Sequence, residues 1–298
     1  MNWLIVYTGK NSSKNDELKQ FFKKNKIKAK SFLYEKDTEL SVNTLPSMLK
    51  GVSHCVILDG KAPAKNASFA WGYLLGAGVL VYALKDDFTA SAKKCGQLKD
   101  FDSFEKLLDH LSKNLAAIAL EDKKKAAWAK LFDTGNPFTG DALSVHVKKD
   151  NRDVVQTYLD AGMSLNERDA EGTPMLNVAI RAEQIEEVKW MLEHDIDLNA
   201  VSKDRGYSAL MDCVWKKNLE LAKILVAKKA NLDFVSADNQ SALALAVGAG
   251  NADMVKLLSD AGANPDKFDA LGMSPWTYAK LFKRQDLLNL MEKNHHGQ

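Results

Sequence analysis

The sequence predicts an α/β domain built on a parallel sheet, followed by an all-α solenoid of stacked helix pairs. Two observations predict these classes: short apolar runs alternate with helical patterns in the first half, and the second half repeats itself with a period of 33 to 34 residues. A chain of 298 residues also exceeds what one hydrophobic core usually absorbs, which favours two domains. We place these domains at residues 1–132 and 133–298.

The first domain begins with the apolar run WLIVY at residues 3–7, which fits a strand but is too short for a signal peptide or a membrane span. Helical patterns and apolar runs then alternate. The predicted order is helix 15–26, strand 30–34, helix 43–49, strand 54–58, helix 67–75, strand 79–84 and a fifth strand at 97–101. This alternation predicts a small parallel sheet covered on both faces.

A long helix closes the first domain. Asp102-Ser-Phe-Glu105 has the spacing of a capping box, in which Asp102 would cap the helix start. The Lys-rich segment 121–130 is expected to continue this helix toward the second domain.

Two loops follow the carboxyl ends of predicted strands, where ligands bind in open parallel sheets. They span residues 8–14 and 59–66. The first reads TGKNSSK and lacks the second glycine and the spacing of a phosphate-binding loop. Its hydroxyl groups and the helix start that follows could still hold an anion.

Residues 53–84 carry the motifs of the second loop and its helix. Asp59-Gly60 follows the third strand, and Asn66-Ala-Ser-Phe-Ala-Trp-Gly-Tyr73 opens the next helix. This stretch resembles the nucleoside 2-deoxyribosyltransferase family, which has Asp-Gly and then Gly-Thr-Ala-Phe-Glu-Leu-Gly-Tyr at these places. The resemblance implies a flavodoxin-like domain with a cleft for a nucleotide or nucleoside. The residues expected to bind that ligand are Thr8, Gly9, Asp59, Gly60, Asn66 and Ala70.

Ala70 stands where that family has its catalytic glutamate. The glutamate attacks the sugar carbon, and a methyl group cannot replace it. We therefore expect a degenerate enzyme site and name no catalytic residue. Asp59, Glu35 and Glu39 are the acids that could substitute, although Asp59 can equally cap a turn. An active N-ribosyl transferase or hydrolase acting on a nucleoside or NAD, and a nucleotide sensor, are the alternatives.

Charge is distributed unevenly between the two halves. Residues 1–135 hold 22 Lys and 15 acidic residues, whereas residues 136–298 hold 19 basic and 24 acidic residues. The basic half can steer an anionic ligand, hold an acidic surface or simply be solvated.

Cysteine and histidine usage indicates neither disulfides nor a metal site. Three scattered cysteines fit reduced thiols in a cytoplasm. The six histidines lie far apart, and His295 and His296 are expected in a disordered tail. His54 and Cys55 should point to opposite faces of one strand. We expect no cofactor, no nucleic-acid partner and no membrane partner.

The repeats of the second half are anchored at fixed positions. The leucine of one helix start recurs as Leu143, Leu176, Leu210 and Leu243, with Trp276 in the fifth unit. The closing segments recur in step and end at Asn166, Asn199, Asp233 and Asp266. Small residues stand where two helices must approach closely, namely Ala179, Cys213, Ala246 and Ala279.

These units resemble ankyrin repeats, and about five of them follow residue 136. The family's turn, Asp, two variable residues and Gly, is kept in Asp169-Ala-Glu-Gly172 and Asp269-Ala-Leu-Gly272. Its Thr-Pro-Leu-His helix start keeps the leucine and loses the histidine, which predicts looser turns. The resemblance implies an extended concave surface that binds another protein.

Aligning the units assigns candidate partner-binding residues. The hairpin tips carry Glu171, Thr173, Arg205, Tyr207, Asp238, Gln240, Leu271 and Met273, and one inner-helix position carries Lys148, Arg181 and Trp215. Trp215 flanked by Arg181 and Tyr207 is the composition expected of an interface hot spot, although Trp215 could equally pack under a hairpin. The function predicted from the sequence is that of a protein-binding or scaffold protein.

Overall fold

The computed structural model describes residues 2–7, 9–33, 45–58, 73–84 and 96–296. The chain divides into two compact units, Met1–Lys125 and Ala126–Gln298. Within the described residues no helix is both long enough and apolar enough to cross a membrane.

The first unit contains a five-stranded parallel sheet. Its strands are β1 (Asn2–Tyr7), β2 (Lys28–Leu33), β3 (His54–Ile57), β4 (Leu80–Leu84) and β5 (Leu98–Phe101). The strand order is β2-β1-β3-β4-β5, and every neighbouring pair is parallel. All five strands were predicted, with bounds that differ by one or two residues.

As the alternation predicts, helices lie between β1 and β2 and between β2 and β3, and a long helix follows β5. They are α1 (Ser12–Lys24), α2 (Leu45–Leu49) and α3 (Phe104–Asp133). Residues 73–76 are also helical, and the remainder of the predicted helix 67–75 lies outside the described residues. The predicted cap of α3 is wrong by one residue: Ser103, not Asp102, accepts the Lys106 amide, while the Asp102 carboxylate binds the Lys106 ammonium.

The strands bury side chains on both faces of the sheet. Trp3 and Ile5 pack against Phe22 on one face, and Leu4 and Cys55 pack on the other. His54 stacks on Trp3, with ring centroids 4.5 Å apart, so His54 and Cys55 do face opposite ways. This double burial is why β1, β3 and β4 read as apolar runs, whereas β2 and β5 have no buried residue and contain lysines.

His54 is fully buried in the first unit. Its Nδ1 lies 2.9 Å from the Ser53 hydroxyl and 3.4 Å from the Asp122 carboxylate, and its Nε2 has no partner among the described residues. Burial lowers the pKa of His54 below its ordinary value, although the Asp122 charge acts in the opposite direction.

We expect the first unit to lose stability as the pH falls below about 6.5, because the unfolded chain then binds a proton that folded His54 resists. The loss should approach about 1.4 kcal/mol per pH unit until the folded group titrates. His54→Phe keeps the ring stack and should flatten this slope. Urea unfolding from about pH 5 to pH 8, fitted with two transitions if the units unfold separately, measures it. An unchanged slope in the variant would assign the pH dependence to other groups.

The second unit consists of five consecutive helix pairs. The pairs are α4 (Gly140–Lys148) with α5 (Arg152–Asp160), α6 (Met175–Arg181) with α7 (Ile185–Met191), α8 (Ala209–Trp215) with α9 (Leu219–Ala227), α10 (Ala242–Gly248) with α11 (Ala252–Asp260), and α12 (Pro275–Leu281) with α13 (Gln285–Met291). The first helix of each pair, here called the inner helix, packs against the inner helices of the neighbouring pairs. The small residues Ala179, Cys213, Ala246 and Ala279 are fully buried, as close helix approach requires.

The recurring Asn or Asp at the end of each unit has a defined structural role. The side chains of Asn199 and Asp233 accept the backbone amides of Asn231 and Asn264, each one repeat further on, at 2.8 and 3.0 Å. Asn166 does the same for the amide of Asp197. These bonds join consecutive units and explain why the sequence repeats an acceptor there.

The hairpin tips are joined by backbone hydrogen bonds. The amides of Lys203, Ala237 and Ala270 donate to the carbonyl groups of Gly172, Arg205 and Asp238 in the preceding tips, at 3.0 to 3.2 Å. The main chain itself therefore links the turns, although the family histidine is absent.

The histidines near the carboxyl end are ordered, contrary to expectation. The His295 ring stacks on Trp276 with centroids 3.8 Å apart, and its Nδ1 lies 2.6 Å from the Asp266 carboxylate. The backbone amide of His296 donates to the same carboxylate at 3.0 Å. Asp266 thus holds the terminal segment as Asn199 and Asp233 hold the next repeat.

Candidate functional site

A groove with a cavity volume of about 440 Å³ opens across three inner helices of the second unit. Helices α8, α10 and α12 form the groove together with the turns that follow them. Its lining residues are Val214, Trp215, Lys217, Gln240, Ala244, Leu245, Gly248, Ala249, Tyr278 and Phe282. We call it the partner groove.

The partner groove exists because the fourth repeat has small side chains. The five inner helices end at equivalent positions, occupied by Lys148, Arg181, Trp215, Gly248 and Leu281. Only the fourth of these positions lacks a side chain, and a Cβ built on Gly248 meets no atom within 4 Å. Ala244 and Ala249 extend the same floor, so a notch lies between the third and fifth repeats.

Aromatic side chains form the walls of this notch. Trp215 is 57% exposed and Phe282 is 49% exposed, although both are large apolar groups. The Arg205 guanidinium lies 5.3 Å from the Trp215 ring centroid and 5.0 Å from that of Tyr207. These contacts hold Trp215 from one side and leave the rest of it open, so the structure does not pack it under a hairpin.

The one charged residue among those that line the partner groove is basic. Lys217 lines it, and Lys283 directly follows Phe282. Within residues 96–296, neither ammonium has an ion pair, and none of the lining residues is acidic. An apolar notch beside unpaired lysines favours an apolar group flanked by negative charge.

Arg181 is committed to contacts inside the repeat stack. Its Nε donates to Asp212 at 2.8 Å, and its terminal nitrogens donate to Asp204 and to Ser202. Asp212 is buried and also accepts the Asn177 amide at 2.7 Å. Arg181 occupies the inner-helix position equivalent to Trp215, as the alignment of the repeats predicts, but it joins two repeats and has little donor capacity left for a partner.

The other predicted partner-binding residues are divided between the groove and the tips. Gln240 lines the groove, and Lys148 is exposed on the first inner helix. Tyr207 and Thr173 are buried, whereas Glu171, Asp238 and Leu271 are exposed and Met273 is half-buried.

Sequence reasoning missed Gly248, Tyr278 and Phe282. Gly248 stands one period after Trp215, at the position that carries Lys148, Arg181 and Trp215 in the earlier repeats. Its missing side chain was the signal that could have identified the notch. Tyr278 and Phe282 carried no such signal, because Tyr278 follows the helix periodicity and is tied to Asp269 by a 2.6 Å hydrogen bond.

Gly9 is the one residue of the predicted nucleotide cleft that falls within the described part of the chain. Thr8, Asp59, Gly60, Asn66 and Ala70 lie outside it, as do Glu35 and Glu39. At the two predicted ligand-binding loops, the Asn11 side chain donates a hydrogen bond to the Leu58 carbonyl at 3.2 Å. The chain segments that leave β1 and β3 are therefore adjacent.

The described residues contain no cluster of three or more His, Cys, Asp or Glu side chains that could hold a metal. Cys55 and Cys213 are free thiols, and burial raises the pKa of both well above the ordinary value. A buried thiol with a raised pKa is a poor nucleophile, which fits structural roles for both.

Comparison with known proteins agrees with the repeat architecture. The family model described as ankyrin repeats (3 copies) matches residues 143–236 and 216–297. An ankyrin repeat-containing protein of Treponema pallidum (strain Nichols) is 30% identical over 253 residues, covering 82% of this chain and 83% of that protein. The match is longer than the repeats alone, so the likeness extends into the first unit.

Two further relatives match shorter stretches. The B-cell lymphoma 3 protein homolog of Mus musculus is 28% identical over 151 residues, which cover 49% of this chain and 34% of that protein. An ankyrin repeat protein of Fowlpox virus (strain NVSL) is 28% identical over 129 residues, covering 43% of this chain and 68% of that protein. Ankyrin repeats support a role in protein–protein interaction. The family model matches most of the helix pairs, and the Treponema pallidum protein aligns with most of this chain and over most of its own length. This protein therefore belongs to the ankyrin repeat family.

Proposed function

We propose that this protein binds a partner protein through the partner groove, by an exposed segment in which a bulky apolar side chain is flanked by acidic residues. The apolar side chain lies over Gly248 between Trp215 and Phe282. The acidic residues face Lys217 and Lys283. The observation that carries the proposal is the notch itself, since it leaves two large aromatic groups exposed beside an open floor.

Physical chemistry favours such a partner over a small polar ligand. Burying exposed aromatic surface gives the largest share of binding energy at protein interfaces, and tryptophan is enriched among the dominant residues. Unpaired rim lysines add charge complementarity, which speeds association and selects acidic partners. A scaffold role follows, because an ankyrin stack offers this surface without building a catalytic site.

Selection of peptides from a random displayed library on the full-length protein tests the proposal. We expect enrichment of sequences with one tryptophan, phenylalanine or leucine next to aspartate or glutamate. Trp215→Ala should weaken a selected peptide by about 30-fold or more, the effect of losing a dominant interface residue. Gly248→Trp should block binding by filling the notch.

Matched variants separate groove binding from general damage. Phe132 is 86% exposed and lies outside the groove, so Phe132→Ala removes a comparable aromatic group without affecting binding. All three variants should keep the urea midpoint of the parent, because the altered positions are open to solvent. If Phe132→Ala weakened the peptide as much as Trp215→Ala, or if Gly248→Trp left the affinity unchanged, the groove would not be the binding site.

For the first unit we propose a flavodoxin-like domain that binds a nucleotide or nucleoside without turnover. The parallel order β2-β1-β3-β4-β5 is that of flavodoxin-like folds, and ligands of such sheets bind where the order reverses, between β1 and β3. The Asn11 contact to Leu58 supports a shared cleft there.

Incubation with deoxynucleosides or NAD separates this proposal from an active enzyme. A raised melting temperature with no released base supports a binding domain, since a ligand of the native state stabilises it. Base release that Asp59→Asn abolishes would instead establish the N-ribosyl enzyme. We also propose a cytoplasmic location, supported by the free thiols of Cys55 and Cys213.

A further inference from the structure

Besides the partner groove of the second unit, the first unit contains a cavity with a volume of about 450 Å³. It lies at the amino ends of β1 and β2, as its lining by Asn2, Trp3 and Lys28 indicates. The predicted nucleotide cleft is at the carboxyl ends of the strands, so the two places are at opposite edges of the sheet. The apolar part of its lining is formed by Trp3, Phe22, Ile27, Ala29 and Val52.

Five lysines line the same cavity. They belong to three different parts of the chain: α1, β2 and the residue after α2. The five are Lys19, Lys23, Lys28, Lys30 and Lys50. The described lining includes no aspartate or glutamate, so the charge around this cavity has one sign.

These five ammonium groups are unpaired among the described residues. Elsewhere in the chain lysines commonly reach carboxylates: Lys106 and Lys113 bind acids one helical turn away at 2.6 and 2.7 Å, and Lys189 contacts two glutamates. A group of unpaired like charges raises the free energy of the folded state by mutual repulsion. An anion in the cavity would relieve it.

The apolar wall supplies a second, independent feature. Ile27, Ala29 and Val52 are half-buried and supply the accessible apolar surface of the cavity, whereas Trp3 and Phe22 behind them are 1% exposed. Lysine point charges around aromatic and aliphatic surface suit a ligand with both an anionic and an apolar part.

We propose that this cavity, here called the lysine cavity, binds a small organic phosphate, with the phosphate among the five ammonium groups and an apolar body against the wall formed by Ile27, Ala29 and Val52. The site is independent of the partner groove and of the predicted nucleotide cleft. Its ligand is recognised by charge and apolar contact, so affinity falls as salt concentration rises.

Titration calorimetry of the full chain at constant ionic strength tests this with three probes. 1-Naphthyl phosphate carries both parts, 1-naphthol only the apolar body, and inorganic phosphate only the charge. We expect 1-naphthyl phosphate to bind at least tenfold tighter than either of the others. The double substitution Lys28→Gln with Lys50→Gln should weaken the binding of 1-naphthyl phosphate at least tenfold.

A control with the same change in charge keeps the result interpretable. Lys99→Gln with Lys124→Gln removes two exposed lysines of the first unit that do not line the cavity, and it should leave the affinity within twofold of the parent. Equal weakening by both pairs would reveal non-specific attraction and overturn the proposal. So would failure of 1-naphthyl phosphate to bind, or equal binding of inorganic phosphate. Both pairs alter exposed side chains, so the urea midpoint should confirm that each variant is folded.

Discussion

Replacing Arg181 by alanine is expected to lower the free energy of unfolding of the second unit by about 3–5 kcal/mol, because it leaves a buried carboxylate without its cation. The Asp212 side chain is 1% exposed and would keep only the Asn177 amide as a hydrogen-bond donor. Burial already raises the pKa of Asp212 above its ordinary value, even with Arg181 and Asn177 favouring the charged form. Urea unfolding at pH 7 measures the loss.

An exposed ion pair provides the control for this substitution. Lys216 and Glu183 also join neighbouring repeats, at 2.8 Å, but the Glu183 side chain is 67% exposed. Lys216→Ala should therefore cost less than about 1 kcal/mol. A comparable cost for both variants would mean that burial of the Arg181 pair does not matter.

The cost of Arg181→Ala should also depend on pH. Without its cation, Asp212 should have a pKa raised further, so that protonation relieves the buried charge as the pH falls. A group whose folded pKa is raised favours folding at low pH, and the deficit of the variant should shrink between about pH 7 and pH 5. If the loss in free energy of unfolding stays constant over this pH range, its cause would be the lost packing of the arginine stem.

Replacing Gly206 by alanine is the second change with a large expected effect, about 3 kcal/mol from left-handed backbone strain and steric overlap together. Gly206 has φ +68°, a conformation that side chains disfavour. A Cβ there would lie 2.7 Å from the backbone nitrogen of Ala237 in the next tip. That amide donates to the Arg205 carbonyl at 3.0 Å, so the overlap would break a bond between repeats.

Gly272 is the matched control, because it holds the equivalent position in the last repeat with φ +71° and open space where a Cβ would stand. Gly272→Ala should lower the free energy of unfolding by only about 1–2 kcal/mol, the backbone part alone. Asn239 occupies the same position in the fourth repeat at φ +57°, which shows that a side chain is tolerated where the next tip leaves room. Equal losses for Gly206→Ala and Gly272→Ala would show that close approach of the tips contributes nothing.

Much of the architecture is encoded locally and could be predicted. In the first unit β1, β3 and β4 are buried on both faces, so each is a short apolar run, and the helices between strands follow their own periodicity. In the second unit the period of the buried leucines, the small residues at helix contacts and the closing Asn or Asp all repeat, because every repeat must bury the same surface against its neighbours. Asp102 and the histidines near the carboxyl end were misjudged, since the choice between neighbouring caps and the docking of a terminus depend on contacts that a pattern does not contain.

The sequence by itself determined the two structural classes, the repeat boundaries and the inner-helix position of Trp215, whereas its exposure came from the structure. Only the tertiary structure decided that Arg181, at the equivalent position, is bound by Asp212 and Asp204, and that Gly248 opens a notch with Phe282 on its far side. The lysine cavity is likewise a product of packing, since its charges come from three separate parts of the chain. The Arg181 contacts and the notch join residues more than 20 positions apart, and in every case the meeting of the residues depends on how helices and strands pack, which local patterns do not specify.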